Sequence, residues 1–462
     1  MHLLFIVPYV PTPIRVRPYN LIRALAARGH RITLATLWSS AEERAALETL
    51  QGWGVRILAE PLPRMRSLHN CLRALPTTTP LQAVYCWSPA LRTRIEQEVA
   101  SPSPGTGARM QLRAELVHVE HLRGARYGLG LDGIPVVWDS VDCISHLFAQ
   151  SARDSRSWAG RLLTWLDLAR TRRYEGWLVG QFDRVLVTSP VDRTALEALV
   201  SAQRAPRALA DSPPSTRNAQ SVLPDSAQSA PPGLSGKFPG GDRGRSAFAA
   251  VAEDHITVLP NGVDLDYFRP AETPRAPETL VISGKMSYHA NITAVLYLVE
   301  EIMPRVWAQR PEVRVQVVGA WPPRSVRRLA ERFPGRVEVT GLVPDLRPYL
   351  QRARLAVAPL RYGAGIQNKV LEALACATPV VATPQACSAL QVQAERDLLM
   401  AASAEEFAHQ VLRLLNDDAL AAQLGAAGRR YVEQYHDWNV IAARLEAIYA
   451  ACVALSGRGI VH

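Results

Sequence analysis

Short, unbroken apolar runs alternate with longer stretches of helical period along most of this chain. Leu3 to Val7 is the first such run, the pattern of a central parallel strand covered on both faces. A helix is predicted next, with Pro18 in its first turn, Leu21, Ile22, Leu25 and Ala26 on its inner face, and Gly29 at its C-terminal end. His30 to Leu37 predicts a second strand and closes a βαβ unit. Residues 55–58, 116–119 and 135–138 predict further strands separated by helical stretches, and residues 183–189 one more. That alternation predicts a doubly wound parallel sheet. The first turn lacks G-x-G-x-x-G, which argues against a nicotinamide dinucleotide there.

The pattern breaks at about 202–252, where Ser, Pro, Ala, Gly and Arg dominate and aromatic residues almost vanish. Such a segment buries too little apolar area to order itself, so it predicts a disordered insertion. Order resumes at residues 255–259, followed by the turn Pro260-Asn261-Gly262. A second α/β series then runs through a strand at 280–282, a helix at 291–309 and a strand at 313–318. It continues with a helix at 325–332, a strand at 337–340, a short helix at 346–352 and a strand at 355–358. The fold class is therefore α/β, with two Rossmann-like doubly wound parallel-sheet domains facing each other across a cleft. The expected boundaries are 1–262 for the first domain, 263–437 for the second, and a C-terminal helix at 438–462 that crosses back to the first.

Composition narrows the picture. The 462 residues exceed what one core usually supports, and 48% hydrophobic with 20% charged residues describes an ordinary globular protein. The net charge of +10 is carried almost wholly by arginine, since Lys237, Lys285 and Lys369 are the three lysines. An arginine bias of this kind reads as background composition, so no nucleic-acid partner is expected. Lys285 and Lys369 stand out against it as places where a compact ammonium is kept. The six cysteines show no metal-binding spacing, and no apolar run reaches the length of a membrane span. A cytoplasmic protein with no metal requirement is the expectation.

Residues 362–383, YGAGIQNKVLEALACATPVVAT, carry the chemistry. Gly363, Gly365 and Ile366 form a loop that runs into a helix, and the unpaired amides at such a helix start can hold phosphate. Lys369 and Glu372 lie three apart on one side of its first turns, which suits a ligand with a diphosphate at one end and hydroxyls nearby. The plainer reading is an ordinary helix start with a surface Lys–Glu pair. Gly284 and Lys285 follow the first strand of the second domain, and Gly341 to Val343 follow the third. In a parallel sheet these ends share one edge. In the first domain His118, Glu120 and His121 close one strand, and Asp139 and Asp142 the next. The basic segment Arg64 to Leu68 and the helical pattern Trp158 to Trp177 read either as helices with solvated arginine faces or as contacts with a membrane surface.

With these residues in view, the chain resembles the retaining glycosyltransferases of GT-B fold called family 4, or group 1. The matching stretches are RPYNLIRALAARGH, VLPNGVDLDYFRP, SGKM, VTGLVPDLRPYL and GAGIQNKVLEALACATPVVAT. HVEHLRGARY and YEGWLVGQFDRVLVTSPVD look closest to the sugar transferases of bacterial exopolysaccharide systems. The resemblance implies a nucleotide-diphosphate sugar as donor, a glycan or lipid-linked acceptor, and no further cofactor. It implies a cytoplasmic location, at the inner face of the membrane where the acceptor is lipid-linked. It also implies that Lys285 and Lys369 neutralise the donor diphosphate, that Glu372 binds the ribose, and that Val343 borders the base. Asp139 and His121 are the first-domain candidates for catalysis. The family's usual pair of glutamates eight apart keeps its second member as Glu372, but its first position falls on Ala364. A sugar-nucleotide epimerase on the same fold and a non-catalytic nucleotide-binding scaffold are the alternatives.

Overall fold

The computed structural model describes residues 1–100, 113–154, 158–204, 255–362 and 365–458. The predicted insertion lies outside the described residues from 205 onward, as do Gly363 and Ala364. The first sheet has seven strands in the order β3-β2-β1-β4-β5-β6-β7. These are β1 His2–Val7, β2 Arg31–Trp38, β3 Arg56–Pro61, β4 Leu116–Glu120, β5 Val136–Val141, β6 Arg184–Val187 and β7 Ile256–Val258. The second has six strands in the order β10-β9-β8-β11-β12-β13. They are β8 Ala276–Ser283, β9 Arg314–Val318, β10 Val337–Gly341, β11 Ala353–Ala358, β12 Val380–Ala382 and β13 Leu399–Met400.

Every pairing in both sheets is parallel. β1 and β4 are buried at every position, as strands covered by helices on both faces must be. Strand order reverses between β1 and β4 in the first sheet and between β8 and β11 in the second. At such a switch point the loops leave in opposite directions and open a crevice outside the strand ends.

Most sequence-predicted elements are present with shifted ends, and two differences have a physical cause. The helix expected over 291–309 forms as His289–Tyr297, a π turn at Leu298–Ile302, and Met303–Trp307. Pro304 has no N–H to give, and the amide of Met303 reaches back five residues to the carbonyl of Leu298. The edge strand β13 is two residues long, too short to produce a periodic signal.

The helix Trp438–Arg458 follows the second domain in sequence but buries Ile441, Ala442, Leu445 and Tyr449 in a core shared with Leu3, Phe5, Leu21 and Leu25. Its 438–456 stretch is long and apolar enough to cross a membrane by length and composition. In the structure this inner face is packed on the first domain.

Two crossings therefore join the domains, and one guanidinium organises both. Arg17 is 4% exposed, and its Nε donates to Asp139 Oδ2 at 2.7 Å. Its Nη1 donates to the carbonyl of Leu259 and to Asn261 Oδ1, each at 3.0 Å. The carbonyl of Asn261 accepts from His436 Nδ1 at 2.7 Å, and His436 Nε2 accepts from the Tyr431 hydroxyl at 2.9 Å. Burial lowers the pKa of His436, which suits a neutral ring donating on one side and accepting on the other. The returning helix is tied in by Tyr449, whose hydroxyl bonds His118 Nδ1 at 2.8 Å, while His118 stacks on Phe5. Arg17→Met leaves the Asp139 carboxylate buried and unpaired, and is expected to cost about 3–5 kcal/mol. Chemical denaturation of the purified protein checks this through the midpoint.

Candidate active site

The C-terminal ends of β8, β9 and β10 are drawn close together by glycine. Gly319, just past β9, has φ +155°, and a Cβ built on it would lie 1.8 Å from the carbonyl oxygen of Gly284. No other residue fits there. The amide of Gly284 bonds the carbonyl of Val318, and the amide of Gly319 bonds that of Gly341. Lys285 leaves this cluster exposed, with its Nζ 5.2 Å from the centroid of the Trp321 ring.

Across the switch point the helix Asn368–Ala375 turns Val370, Leu371 and Leu374 into the second core. Ile366 is buried with them and anchors the preceding loop. The same helix leaves Asn368, Lys369 and Glu372 half-buried on the cleft side. Lys369 Nζ donates to Asn291 Oδ1, and Asn291 Nδ2 donates to the carbonyl of Lys285 at 3.0 Å. Asn291 thus ties the two lysine-bearing segments together. Sequence reading missed it, because an asparagine near a helix start looks like a local cap. Its only signal is its place six residues after Lys285.

Desolvation sets the charges here. Burial lowers the pKa of Lys369 to about 8, with the Glu372 charge opposing. Burial also raises that of Glu372 to about 7, with the Lys369 charge opposing. Both side chains favour the neutral form more than they would in water, and an ionic ligand would restore their charge.

Glu372, Asn368 and Val343 line one cavity of about 620 Å³ between the domains. Val16, Tyr19, Asn20 and Arg23 of the first domain form its far wall. Asn368 Oδ1 is buried with no hydrogen-bond partner among the described residues. The cavity lining combines apolar Val343, Pro344 and Leu346 with polar Asn368 and Glu372, so it suits a flat apolar ring joined to a group rich in hydroxyls.

The first-domain candidates separate. Asp139 is fully buried beneath the strand end, held by Arg17 and by the amide of Val141 at 3.2 Å. Its carboxylate belongs to the interdomain clamp, and the structure does not bring it to the cleft. His121 begins the helix His121–Gly128 with φ +64°. Burial, assisted by Arg123, lowers its pKa to about 3. Its Nδ1 accepts from the amide of Arg123 at 3.2 Å, so the ring hydrogen resides on Nε2. His121 is therefore placed as a hydrogen-bond donor and not as a base. Glu120 accepts from the Tyr9 hydroxyl at 2.7 Å across the β1–β4 switch point. Burial and the Asp139 charge raise its pKa to about 8. Beside it lies a second pocket of about 310 Å³, lined by Tyr9, Arg15, Trp38, Arg64, Tyr85 and Arg123.

Asp142 behaves differently. Val141 before it has φ +68°, rare for a β-branched residue, and the β5–β6 register slips between Asp139 and Val141. This kink directs the Asp142 carboxylate across the cleft to Gly365 of the second domain. A Cβ on Gly365, itself at φ +68°, would lie 2.5 Å from Asp142 Oδ1. Gly363 and Ala364 lie outside the described residues. Among the described residues, no group of three or more His, Cys, Asp or Glu side chains is placed to hold a metal ion.

Residues 277–417 match the family model for glycosyl transferases group 1. A mannosyltransferase of Corynebacterium glutamicum, described as GDP-mannose-dependent and acting on a monoacylated phosphatidylinositol monomannoside, is 29% identical over 234 residues. That alignment covers 45% of this chain and 58% of the relative, so the chain spans a little over half of that relative's length. Among solved structures, sucrose-phosphate synthase from Thermosynechococcus elongatus superposes with a TM-score of 0.59 at 18% identity, covering 98% of this chain and 100% of that one. HepE of Anabaena, solved with UDP and glucose, gives 0.59 at 12% identity over 98% and 100%. At these identities the superpositions show the GT-B fold.

The shifted lysine makes the site sensitive to pH. A nucleotide-diphosphate sugar has no phosphate proton to lose near neutrality, so its own charge stays constant. A diphosphate resting against Lys369 would raise its pKa, and such binding would take up a proton above about pH 8. Affinity is therefore expected to fall as pH rises through about 8, and Lys369→Met to flatten that limb, both measured by calorimetric titration.

Proposed function

We infer that this chain, a GT-B protein whose second domain is of the group 1 glycosyltransferase family, moves a sugar from a nucleotide-diphosphate donor to a glycan or lipid-linked acceptor. One arrangement carries the reading. At the switch point of the second sheet, the Lys285 segment, Asn291 and Lys369 meet beside a cavity ending in Glu372 and Val343. In this reading the diphosphate rests on Lys285, Lys369 and the amides at residues 365–367. Glu372 accepts hydrogen bonds from the ribose, and the base lies toward Val343.

Breaking the sugar–phosphate bond develops negative charge on the diphosphate and positive charge at the anomeric carbon. Fixed cations and helix-start amides stabilise the first without proton transfer. Asp139 is committed to Arg17, and His121 has its acceptor nitrogen occupied. Neither is available as a strong base, which supports retention of configuration. The leaving phosphate oxygen then takes the proton of the acceptor hydroxyl as the new carbon–oxygen bond forms on the same face. No metal is invoked in this scheme, because the lysines neutralise the phosphates. Lys285→Ala and Glu372→Ala are each expected to lower turnover of a nucleotide-diphosphate sugar at least about 100-fold with an unchanged melting temperature. Wild-type rates in both variants would remove the site from consideration.

The acceptor side favours a lipid-linked glycan at the inner face of the cell membrane, in cell-surface or exopolysaccharide synthesis. The named acceptor of the Corynebacterium relative, a phosphatidylinositol mannoside, supports a lipid-linked one here. The helix Arg64–Ala74 adds an observation of its own. It buries Ser67 and Ala74 against the protein and leaves Met65, Leu68 and Leu72 exposed at 74%, 53% and 56%. These three lie on one helical face, and Leu75 continues the stripe. From Pro61 to Ile95 there is no acidic residue, while arginine occupies 64, 66, 73, 92 and 94. An apolar stripe among cations suits an anionic lipid surface, and Arg64 and Ser67 also line the first-domain pocket. Co-sedimentation with phosphatidylglycerol vesicles, weaker with phosphatidylcholine and lost in Leu68→Glu/Leu72→Glu, is the expected result. Equal recovery of wild type and variant would reject the membrane contact.

A further inference from the structure

We propose that Asp142, reaching over from the first domain, is the carboxylate that holds the hydroxyls of the transferred sugar, a role the second-domain loop cannot fill for itself. The proposal rests on the donor-site reading above and adds the residue that recognises the sugar.

A pyranose beside a diphosphate presents hydroxyl donors, and a site that discriminates sugars needs acceptors aimed at them. The second domain offers none at the right place. Between Asp345 and Glu372 its sequence contains no acidic residue, and the loop itself reads Gly363, Ala364, Gly365, Ile366, Gln367. Glu372 faces the cavity that ends at Val343, on the nucleoside side. That segment therefore brings no anionic acceptor of its own ahead of Glu372.

Asp142 supplies one from across the cleft. Its Oδ1 lies against Gly365, where even a methyl group would collide. It is fixed there by the Thr188 hydroxyl, which donates to Oδ1 at 3.1 Å, and by its own amide, which donates to the carbonyl of Ser140 at 2.9 Å. The strained Val141 and the slipped register of β5 against β6 turn it outward. Bulges beside active sites commonly re-aim a side chain in this way, and a strained non-glycine residue is held where function uses it. Tyr288, in the loop after Lys285, feels the same carboxylate. Burial first, and then the Asp142 charge, raise its pKa. Asp142 thus stands between the two lysine-bearing segments and the first domain. Burial and the neighbouring Asp192 raise its own pKa only to about 6, so it is mostly ionised near neutrality. Oδ1 is engaged by Thr188, and in this proposal Oδ2 takes the sugar hydroxyls.

The full-length protein is titrated calorimetrically with UDP, GDP, UDP-glucose and GDP-mannose, and each ratio of sugar-linked to free nucleotide affinity is taken. Asp142→Asn is expected to leave the affinity for the better nucleoside diphosphate within about twofold, and to weaken the matching sugar nucleotide by roughly 10- to 100-fold. An unchanged ratio in Asp142→Asn overturns the proposal, as does an equal loss of both ligands, which would mark a structural role. Turnover lost with sugar-nucleotide affinity intact would make Asp142 a base and also overturns it. If the wild type binds none of the four ligands and no ADP- or TDP-sugar either, the donor-site reading itself falls before any variant is compared.

Discussion

The buried guanidinium of Arg17 is the interaction on which the geometry of this protein depends. It pairs with Asp139 at the end of β5 and donates to the Leu259 carbonyl and the Asn261 side-chain oxygen of the linker. A charge pair taken so far from water needs hydrogen bonds beyond the pair itself, and the crossing segment supplies them to Nη1, while Nη2 is buried with no partner among the described residues. Domain orientation thus becomes part of the price of burying a charge. His436, Tyr431 and Tyr449 extend the same network to the returning helix.

With the domains fixed, the sheets do the rest. Parallel strands deliver all their C-terminal ends to one edge, so short loops from β8, β9, β10 and β11 meet without long excursions. The cleft then desolvates what faces it. Lys369 and Glu372 shift toward neutrality because water is removed from both, and each partly holds the other charged. A ligand carrying a diphosphate and hydroxyls returns what desolvation took away. That is a reason for the site to favour such a ligand, independent of any resemblance.

Much of this was legible in the sequence. Apolar runs with helical spacing between them predict two parallel sheets, since burial on both faces leaves no other pattern. That Lys285, Lys369, Glu372 and Val343 would gather at one edge of the second sheet was legible because strand ends of a parallel sheet converge, and lysine's scarcity drew attention to the first two. Asn291 was not, because its role is to bridge two backbone segments and it leaves no periodic trace. Asp139 was misjudged for a related reason. Placement at a strand end does not say which way a carboxylate turns, and a buried arginine 122 residues earlier turns this one inward. Asp142, three residues on, faces the cleft because of a kink at Val141 that no propensity would suggest.

Everything proposed for this chain turns on whether the edge of the second sheet binds a nucleotide-diphosphate sugar. A thermal-shift series of the wild-type protein against UDP-, GDP-, ADP- and TDP-sugars tests it most directly, since a ligand that binds only the folded state raises the melting temperature with concentration. A saturating rise with the sugars of one base and little response to the others is expected. No rise with any of them would contradict it.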